Sequence, residues 1–143
     1  NIEWLKSWHK FETDYAIEPG DATLIKWDNF PLIDYVASET YLGKPFTSKP
    51  SGEILAQTVN ECNTIIKKFL QNIHGQIAAG TRLCLAVPAW QTSPGKFKNL
   101  PLIDGLREIG YNRIKFEHIK DEDLVYARLD QIVGRELLVI TRN

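Results

Sequence analysis

The sequence predicts one α/β domain, residues 1–143, whose sheet is mostly parallel with an antiparallel strand at its C-terminal edge. Short apolar runs of strand length alternate with helical patterns along the chain, the order that produces parallel strands joined by helices. The last two apolar runs follow one another without a helical segment, so we expect them to pair as antiparallel neighbours. With 143 residues and 43% hydrophobic content, the chain can bury a core of its own.

The elements predicted for the N-terminal part are short. Residues 2–8 have a helix-like pattern, residues 15–17 are a strand candidate that ends at a Pro-Gly pair, and residues 22–27 form an apolar stretch whose state the pattern leaves open. Residues 33–37 are predicted to be a buried strand, because this apolar run ends abruptly in polar residues.

Residues 52–73 carry the clearest helical pattern in the chain. A serine precedes the segment, a glutamate lies in its first turn and a glycine follows it, which suits the ends and the dipole of a helix. The apolar side chains recur at the spacing of one helical face, at Ile54, Leu55, Val59, Cys62, Ile65, Ile66, Phe69 and Leu70.

The C-terminal half adds three strands and a short helix. A continuous apolar run at 82–87 predicts a strand that is covered on both faces and ended by Pro88. Residues 100–109 have the pattern of a short helix with a proline in its first turn. Residues 113–119 alternate like a half-exposed strand, and residues 135–142 form the last apolar run.

Charge and apolarity limit the class of function. The net charge of -1 and the pI near 6.3 give no general attraction to phosphate, so nucleic-acid binding needs specific contacts. No apolar run in the sequence approaches the roughly 20 residues that span a bilayer. With no signal-peptide pattern at the start, we expect a soluble, cytoplasmic protein without a membrane partner.

The cysteines and histidines lack the spacing of a metal site. We interpret Cys62 and Cys84 as two buried thiols in a reducing compartment. His9, His74 and His118 lie far apart in the sequence, and histidines without ligand-type spacing are more often surface or satisfied core residues. We therefore expect no metal.

The start of the sequence indicates a fragment. The chain contains no methionine and begins at Asn1, whereas a natural translation product starts with methionine. We therefore expect that a further part of the protein lies upstream.

Polar residues follow the predicted strand 33–37 directly. They are Ser38, Glu39, Thr40 and Tyr41, and Leu42-Gly43 comes next. In an open α/β sheet, ligands bind just beyond the carboxyl ends of the strands. The sequence therefore predicts a functional site at this point of the chain.

Five short motifs occur in an order that a known family shares. They are Asn1-Ile2-Glu3-Trp4-Leu5, Gly20-Asp21-Ala22, Ser38-Glu39-Thr40-Tyr41-Leu42-Gly43, Val87-Pro88-Ala89-Trp90 and Arg135-Glu136-Leu137-Leu138-Val139. This order resembles the second half of the catalytic domain of THUMP-associated tRNA guanosine methyltransferases and related RNA methylases, and it covers nearly the whole chain. The resemblance implies a Rossmann-like methyltransferase sheet that uses S-adenosylmethionine, with its N-terminal strands missing from this chain.

The resemblance gives the loop after the strand a catalytic role. Ser38, Glu39, Thr40 and Tyr41 stand where the family carries DPPY, and Ser38 keeps a hydrogen-bond acceptor without the charge of aspartate. In the family, the first side chain and the next backbone carbonyl accept hydrogen bonds from the target amine, so catalysis is largely positioning. The tyrosine stacks on the target base.

The resemblance also implies cofactor and substrate contacts. Asp21, with Ala22, matches the acidic position that accepts a hydrogen bond from the adenine amino group of the cofactor, and Gly43, Pro88 and Trp90 are expected to line the substrate pocket. Each position also has an ordinary structural explanation. An aspartate after Pro-Gly suits a turn, and a tryptophan at a strand end often caps a core.

Three interpretations remain open. The first is methyl transfer from S-adenosylmethionine to an exocyclic amino group of a nucleobase, with guanosine in tRNA as the expected target and RNA as the partner. The second is an inactive relative that binds RNA or protein. The third is an unrelated α/β domain such as a hydrolase, which is disfavoured because the sequence has neither a GxSxG turn nor a phosphate loop.

The missing strands also lead to a physical expectation. They would leave an apolar strand edge of the sheet unpaired, and an unpaired edge is a template for association. We therefore expect the isolated chain to self-associate through this edge or to rearrange its first 30 residues. Because part of the binding site is missing with the strands, we also expect the isolated chain to be inactive.

Overall fold

The computed structural model describes residues 1–10, 12–28, 32–128 and 131–143. Within these ranges the chain forms a mixed α/β fold with a six-stranded sheet. The elements, in chain order, are α1 (Ile2–His9), β1 (Tyr35–Glu39), α2 (Gly52–His74), β2 (Arg82–Ser93), β3 (Lys96–Lys98), the 3₁₀ helix η1 (Pro101–Ile109), β4 (Tyr111–Arg113), the 3₁₀ helix η2 (Asp121–Leu124), β5 (Val125–Tyr126) and β6 (Val133–Arg142).

The sheet has the order β1-β2-β6-β4. β1 pairs in parallel with β2, whereas β6 lies between β2 and β4 and is antiparallel to both. β3 folds back on the end of β2, and β5 pairs with β6. The predicted antiparallel pairing of the late strands is confirmed for β4 and β6. The prediction of a mostly parallel sheet with the antiparallel strand at its edge is wrong: among the described strands only β1 and β2 pair in parallel, and β6 pairs on both of its sides.

The long amphipathic helix is confirmed as α2. The hydroxyl of Ser51 accepts a hydrogen bond from the backbone N–H of Ile54 at 3.3 Å, which satisfies one of the free donors of the first turn. The predicted apolar face packs on the sheet except at the first turn, where Ile54 is 51% exposed. The buried residues of the helix are Thr58, Val59, Cys62, Ile66, Phe69, Leu70 and Ile73.

The core lies on one face of the sheet. Leu83 and Leu85 of β2 and Leu138 of β6 are all 0% exposed, whereas Ala86 and Val139, on the other face of the same stretch, are only half-buried. Cys84 is exposed, and so is Leu137. The expectations that β2 is covered on both faces and that Cys84 is buried are therefore wrong. A continuous apolar run does not reveal whether both faces have something to cover them.

β2 continues through the proline that was expected to end it. Pro88 pairs with Arg135 of β6 inside the strand. The carbonyl of Ala86 points towards β1 and accepts a hydrogen bond from the backbone N–H of Thr40. In a β-strand, the backbone polar groups of residues two positions apart point to the same side. The nitrogen of Pro88 therefore faces the side on which β1 has already ended, and no ladder hydrogen bond is lost.

Four other segments differ from their predictions. The strand expected at 33–37 is β1, which begins two residues later and is largely exposed. Residues 15–17 are not in a strand, and of 113–119 only the first residue belongs to one. The helix expected at 100–109 is a 3₁₀ helix with non-helical backbone angles at Gly105.

Among the described residues, none of the helices combines the length and apolarity that crossing a bilayer requires.

Candidate functional site

Two loops that are separated in sequence meet over α2. Both were predicted to carry functional residues, and the structure brings them together around one cavity of about 280 Å³. We call this cavity the Asp21 pocket. Its described lining residues are Gly20, Asp21, Ala22, Thr23, Ser38, Glu39, Thr40, Tyr41, Ile65, Ile66 and Phe69.

Asp21 organises the first of these loops. Its Oδ1 accepts a hydrogen bond from the backbone N–H of Thr23 at 2.8 Å, and its carbonyl accepts from the N–H groups of Leu24 and Ile25, both at 2.9 Å. These bonds close a turn in which the carboxylate stays exposed. The hydrogen bonds from Thr23 hold the pKa of Asp21 below its usual value, because they favour the charged form. Asp21 is thus an accessible anionic acceptor.

Two amide side chains, one in the last turn of α2 and one just beyond its end, fasten this loop. Asn72 Nδ2 donates to the carbonyls of Ala22 at 3.1 Å and Ile25 at 2.9 Å. Gln76 accepts from the backbone N–H of Trp27 at 2.9 Å and donates to Ile25 at 3.2 Å. Neither residue was predicted from the sequence, because no local pattern marks an amide at a helix end as a partner of a loop about 50 positions away.

The second loop is anchored to β2 by Thr40. Its backbone N–H and its hydroxyl both donate to the carbonyl oxygen of Ala86, each at 3.0 Å. Just before it, the Ser38 hydroxyl donates to the Glu39 carbonyl at 3.2 Å. The loop that lacks the two family prolines is therefore held by hydrogen bonds. The two acceptors expected to face a target amine, the Ser38 hydroxyl and the Glu39 carbonyl, are bonded to each other here.

Tyr41 is fixed at its hydroxyl end. The hydroxyl donates to Glu61 Oε1 of α2 at 3.2 Å, and the residue is 37% exposed. Partial desolvation, followed by the charge of Glu61, raises the pKa of Tyr41, because both disfavour a phenolate. The ring is thus neutral, anchored at one end and accessible.

Gly43 has a steric reason to be glycine. Its φ of +86° lies in the left-handed region, and a Cβ atom there would come within 2.8 Å of Thr58 Cγ2 on α2. Glycine allows both the backbone conformation and the close approach of the loop to the helix. Gly43 therefore sets the path of the chain beyond Tyr41.

An ion pair joins the loop to β6. Arg135 Nε lies 2.6 Å from Glu39 Oε1, so the pair crosses β2 from the end of β1. The side chains are 35% and 54% exposed, and pairs of this kind contribute about 0.2–1 kcal/mol. The Glu39 carboxylate is therefore engaged by arginine. Sequence patterns gave no signal for this contact between residues 96 positions apart.

A second cavity of about 420 Å³ lies beyond Tyr41. We call it the Arg135 pocket. It is bounded by the continuation of the same loop on one side and by the start of β6 on the other. Its described lining residues are Leu42, Gly43, Lys44, Pro45, Phe46, Gln131, Ile132, Val133 and Arg135.

Pro88 and Trp90 lie elsewhere. Both are buried, and Trp90 is 0% exposed within the core. Neither presents surface to a ligand in this structure, so the expectation that they line the substrate pocket is not met here. A tryptophan at a strand end favoured the core from the start. Among the described residues, no group of three or more His, Cys, Asp or Glu side chains could hold a metal ion.

Comparisons with known proteins give a similarity of fold alone. The chain is similar to two crystal structures of TTHA0409, a candidate DNA modification methylase from Thermus thermophilus, at 13% identity in each case. The TM-scores are 0.48 for one and 0.43 for its selenomethionine derivative. The matches cover 87% and 86% of this chain but only 52% and 50% of TTHA0409, so the chain spans about half of that protein. No family model matches, and no curated protein does.

Proposed function

We propose that this chain is part of an S-adenosylmethionine-dependent methyltransferase with a Rossmann-like sheet, which acts on an exocyclic amino group of a nucleobase. Guanosine in tRNA is the first target to test. One observation carries the proposal: the segment from Ser38 onward, which is the end of β1 and the loop that follows it, lines two cavities in succession. A methyltransferase has to hold a methyl donor and an acceptor on either side of the same catalytic groups, and this arrangement provides for both.

The Asp21 pocket fits the adenosine part of the donor. Asp21 offers an exposed anionic acceptor for an adenine amino group, and Ile65 and Phe69 of α2 provide an apolar wall for a flat ring. The cavity of about 280 Å³ is smaller than the roughly 300–1,000 Å³ of small-molecule pockets, so it suits a part of the cofactor and not the whole. When bound, the cofactor supplies an electrophilic methyl group on a sulfonium.

The loop residues then orient the acceptor. The Ser38 hydroxyl and the Glu39 carbonyl both present oxygens to an incoming amine, and accepting its two N–H groups aims the nitrogen lone pair at the methyl group. Their mutual bond of 3.2 Å has to open for this. Tyr41 supplies an aromatic face for the base, which in single-stranded complexes contributes about 1–3 kcal/mol.

A second candidate function is a non-catalytic module that binds RNA or protein through the same fold. The observation in its favour is that the Ser38 hydroxyl already bonds the Glu39 carbonyl and that Arg135 holds the Glu39 carboxylate. A segment whose polar groups are already bonded within the chain suits binding without methyl transfer.

Calorimetric titration of S-adenosylmethionine tests whether the chain binds the cofactor, which an unrelated α/β domain would not do. We expect binding that Asp21→Ala weakens by about tenfold or more, because a hydrogen bond to a charged group contributes about 1.5–3 kcal/mol. Asp14→Ala, which removes an exposed carboxylate outside the pocket, is the matched control. Equal binding by all three proteins would argue against the Asp21 pocket. Transfer of a labelled methyl group to unmodified tRNA, measured on the whole methyltransferase of which this chain is proposed to be part, then distinguishes the enzyme from the inactive module.

A further inference from the structure

We propose that the Arg135 pocket binds one nucleotide of a single-stranded nucleic acid, with the base against its apolar wall and the phosphate at Arg135 and Lys44. The inference rests on the proposed function, which explains why a nucleic-acid strand is present. It adds a subsite that holds this nucleic acid outside the Ser38–Tyr41 segment, and it names the residues that form the subsite.

The lining has the two kinds of surface that a nucleotide needs. Leu42, Pro45, Phe46, Ile132 and Val133 are apolar, and an aromatic ring among aliphatic side chains accepts the flat face of any base. The polar members in the described part of the lining are Lys44, Gln131 and Arg135. All three can donate hydrogen bonds, and none is a carboxylate. At about 420 Å³, the cavity lies within the usual range for small-ligand sites.

The ion pair with Glu39 fixes how Arg135 is presented. Among the described residues, its guanidinium bonds Glu39: Nε lies 2.6 Å from Glu39 Oε1. The two terminal nitrogens remain as parallel donors, which is the geometry that binds a phosphate through two oxygens. Glu39 therefore acts here as a positioning residue, since it holds the side of the guanidinium that the phosphate does not use.

The position of the pocket links it to the rest of the site. Leu42 and Gly43 follow Tyr41 directly and form one wall, and the close packing of Gly43 on Thr58 fixes that turn. A strand with one nucleotide in the Arg135 pocket therefore passes alongside Tyr41. With a net charge of -1, the chain has little overall attraction to phosphate, so local contacts of this kind have to supply the affinity.

Fluorescence anisotropy of a labelled single-stranded RNA octamer tests the pocket without any methyl donor. We expect Lys44→Ala and Arg135→Ala each to weaken binding at least fivefold at low salt. Each should also reduce the slope of log affinity against log salt by about 0.7, the value for one lost phosphate contact on a single strand. Lys67→Ala, on the exposed side of α2, is the matched control and should change neither quantity.

Two further measurements keep the result specific. An abasic strand of the same length retains the phosphates, and we expect it to bind about fivefold or more weakly, because base stacking contributes about 1–3 kcal/mol. Arg135→Lys keeps the charge without the paired donors and should give an intermediate affinity. Thermal unfolding of each variant identifies any loss of binding that reflects a loss of folding.

The outcomes are separable from those of the proposed function. Absence of octamer binding by the folded chain, equal weakening by Lys67→Ala, or equal affinity for the abasic strand would each overturn the inference. Octamer binding that depends on Lys44 and Arg135 supports it even if S-adenosylmethionine does not bind, and in that case only the methyltransferase proposal fails.

Discussion

Thr40 donates twice to a single atom, since its backbone N–H and its hydroxyl both bond the carbonyl oxygen of Ala86 at 3.0 Å. The pair fixes the first residue after β1 to the neighbouring strand. It also sets the direction in which the chain leaves the sheet towards Tyr41. The candidate catalytic loop is thus an extension of the sheet.

Removing only the side-chain bond should loosen this loop. Thr40→Val keeps the shape of the residue and its N–H bond, so we expect the free energy of unfolding to fall by about 0.5–1.5 kcal/mol, the net value of one hydrogen bond. Thr40→Ser keeps a hydroxyl and is the control. Urea denaturation measures the difference, and equal stability of the valine and serine variants would show that the hydroxyl bond contributes nothing.

Replacing Gly43 should be costly. Gly43→Ala forces a residue with a Cβ atom into a φ of +86° and against Thr58, so we expect a loss of about 1–3 kcal/mol of stability. Gly75→Ala is the control, because Gly75 has a φ of -75° and nothing within 4 Å of a Cβ at that position. Thermal unfolding of the two variants makes the comparison. A Gly43→Ala protein as stable as Gly75→Ala would contradict the steric account.

The raised pKa of Tyr41 should depend on Glu61. Glu61→Gln removes the negative charge that disfavours the phenolate, so we expect the pKa of Tyr41 to fall towards its ordinary value, with the part due to desolvation remaining. NMR titration of ring-labelled tyrosine measures this, and Tyr41→Phe assigns the signal among the five tyrosines. Glu53→Gln, in the first turn of α2, should leave the Tyr41 titration unchanged.

Glu136 should make stability depend on pH. Its side chain is 0% exposed, with Arg113 2.9 Å away, and burial raises its pKa above the ordinary 4.5 even though Arg113 opposes this. When folding raises the pKa of an acid, the protonated group contributes stability to the folded state. This stability is fully present below the pKa of the unfolded state and is lost as the pH rises through the pKa of the folded state. From pH 4.5 upward, the native chain should therefore lose stability relative to Glu136→Gln.

Urea denaturation at several pH values between 4 and 8 checks the Glu136 prediction. The quantity to compare is how the difference in unfolding free energy between the two proteins changes with pH, because Glu136→Gln also removes the ion pair with Arg113 and leaves that arginine only its pair with Asp121. A stability difference between the two proteins that is constant over this range would contradict the raised pKa.

The two cysteines should react at very different rates. Cys84 is exposed and Cys62 is buried, and burial raises the pKa of the Cys62 thiol to about 11. Because the thiolate is the reactive form, we expect Ellman's reagent to modify one thiol of the native protein rapidly. The second should react only after unfolding. Two rapid equivalents would contradict the burial of Cys62, and Cys84→Ser identifies the fast site.

Sedimentation tests the expected self-association. Among the described residues, the edge strand β1 pairs with β2 alone, which leaves its other edge available to a second copy. If copies pair through this edge, the sedimenting mass should rise with protein concentration. A monomeric mass at every concentration would contradict association.

Patterns that depend on near neighbours in sequence predicted the structure well. The spacing of apolar residues gave α2 almost to the residue, because a helix repeats over a few positions and Ser51 marks its start. The same logic predicted a strand before these polar residues, but β1 extends through Ser38 and Glu39, so only Thr40 and Tyr41 of the four follow it. Asp21, which the structure brings to the same cavity, was selected by the family resemblance and not by a local pattern.

Features that depend on distant parts of the chain were not predictable in the same way. The register with β6 decides that Pro88 is tolerated inside β2, and nothing near Pro88 in sequence indicates it. The run that contains Cys84 is as apolar as a strand covered on both faces, and only tertiary structure shows that one face is open. The Glu39–Arg135 pair likewise required the sheet to be assembled.

The position of β6 has a consequence for the order in which the sheet folds. β6 (Val133–Arg142) lies between β2 and β4 although it follows both of them in sequence. β2 and β4 therefore have no shared partner until β6 docks, and the sheet cannot form as one unit before that step. We expect deletion of residues 133–142 to leave the sheet unformed.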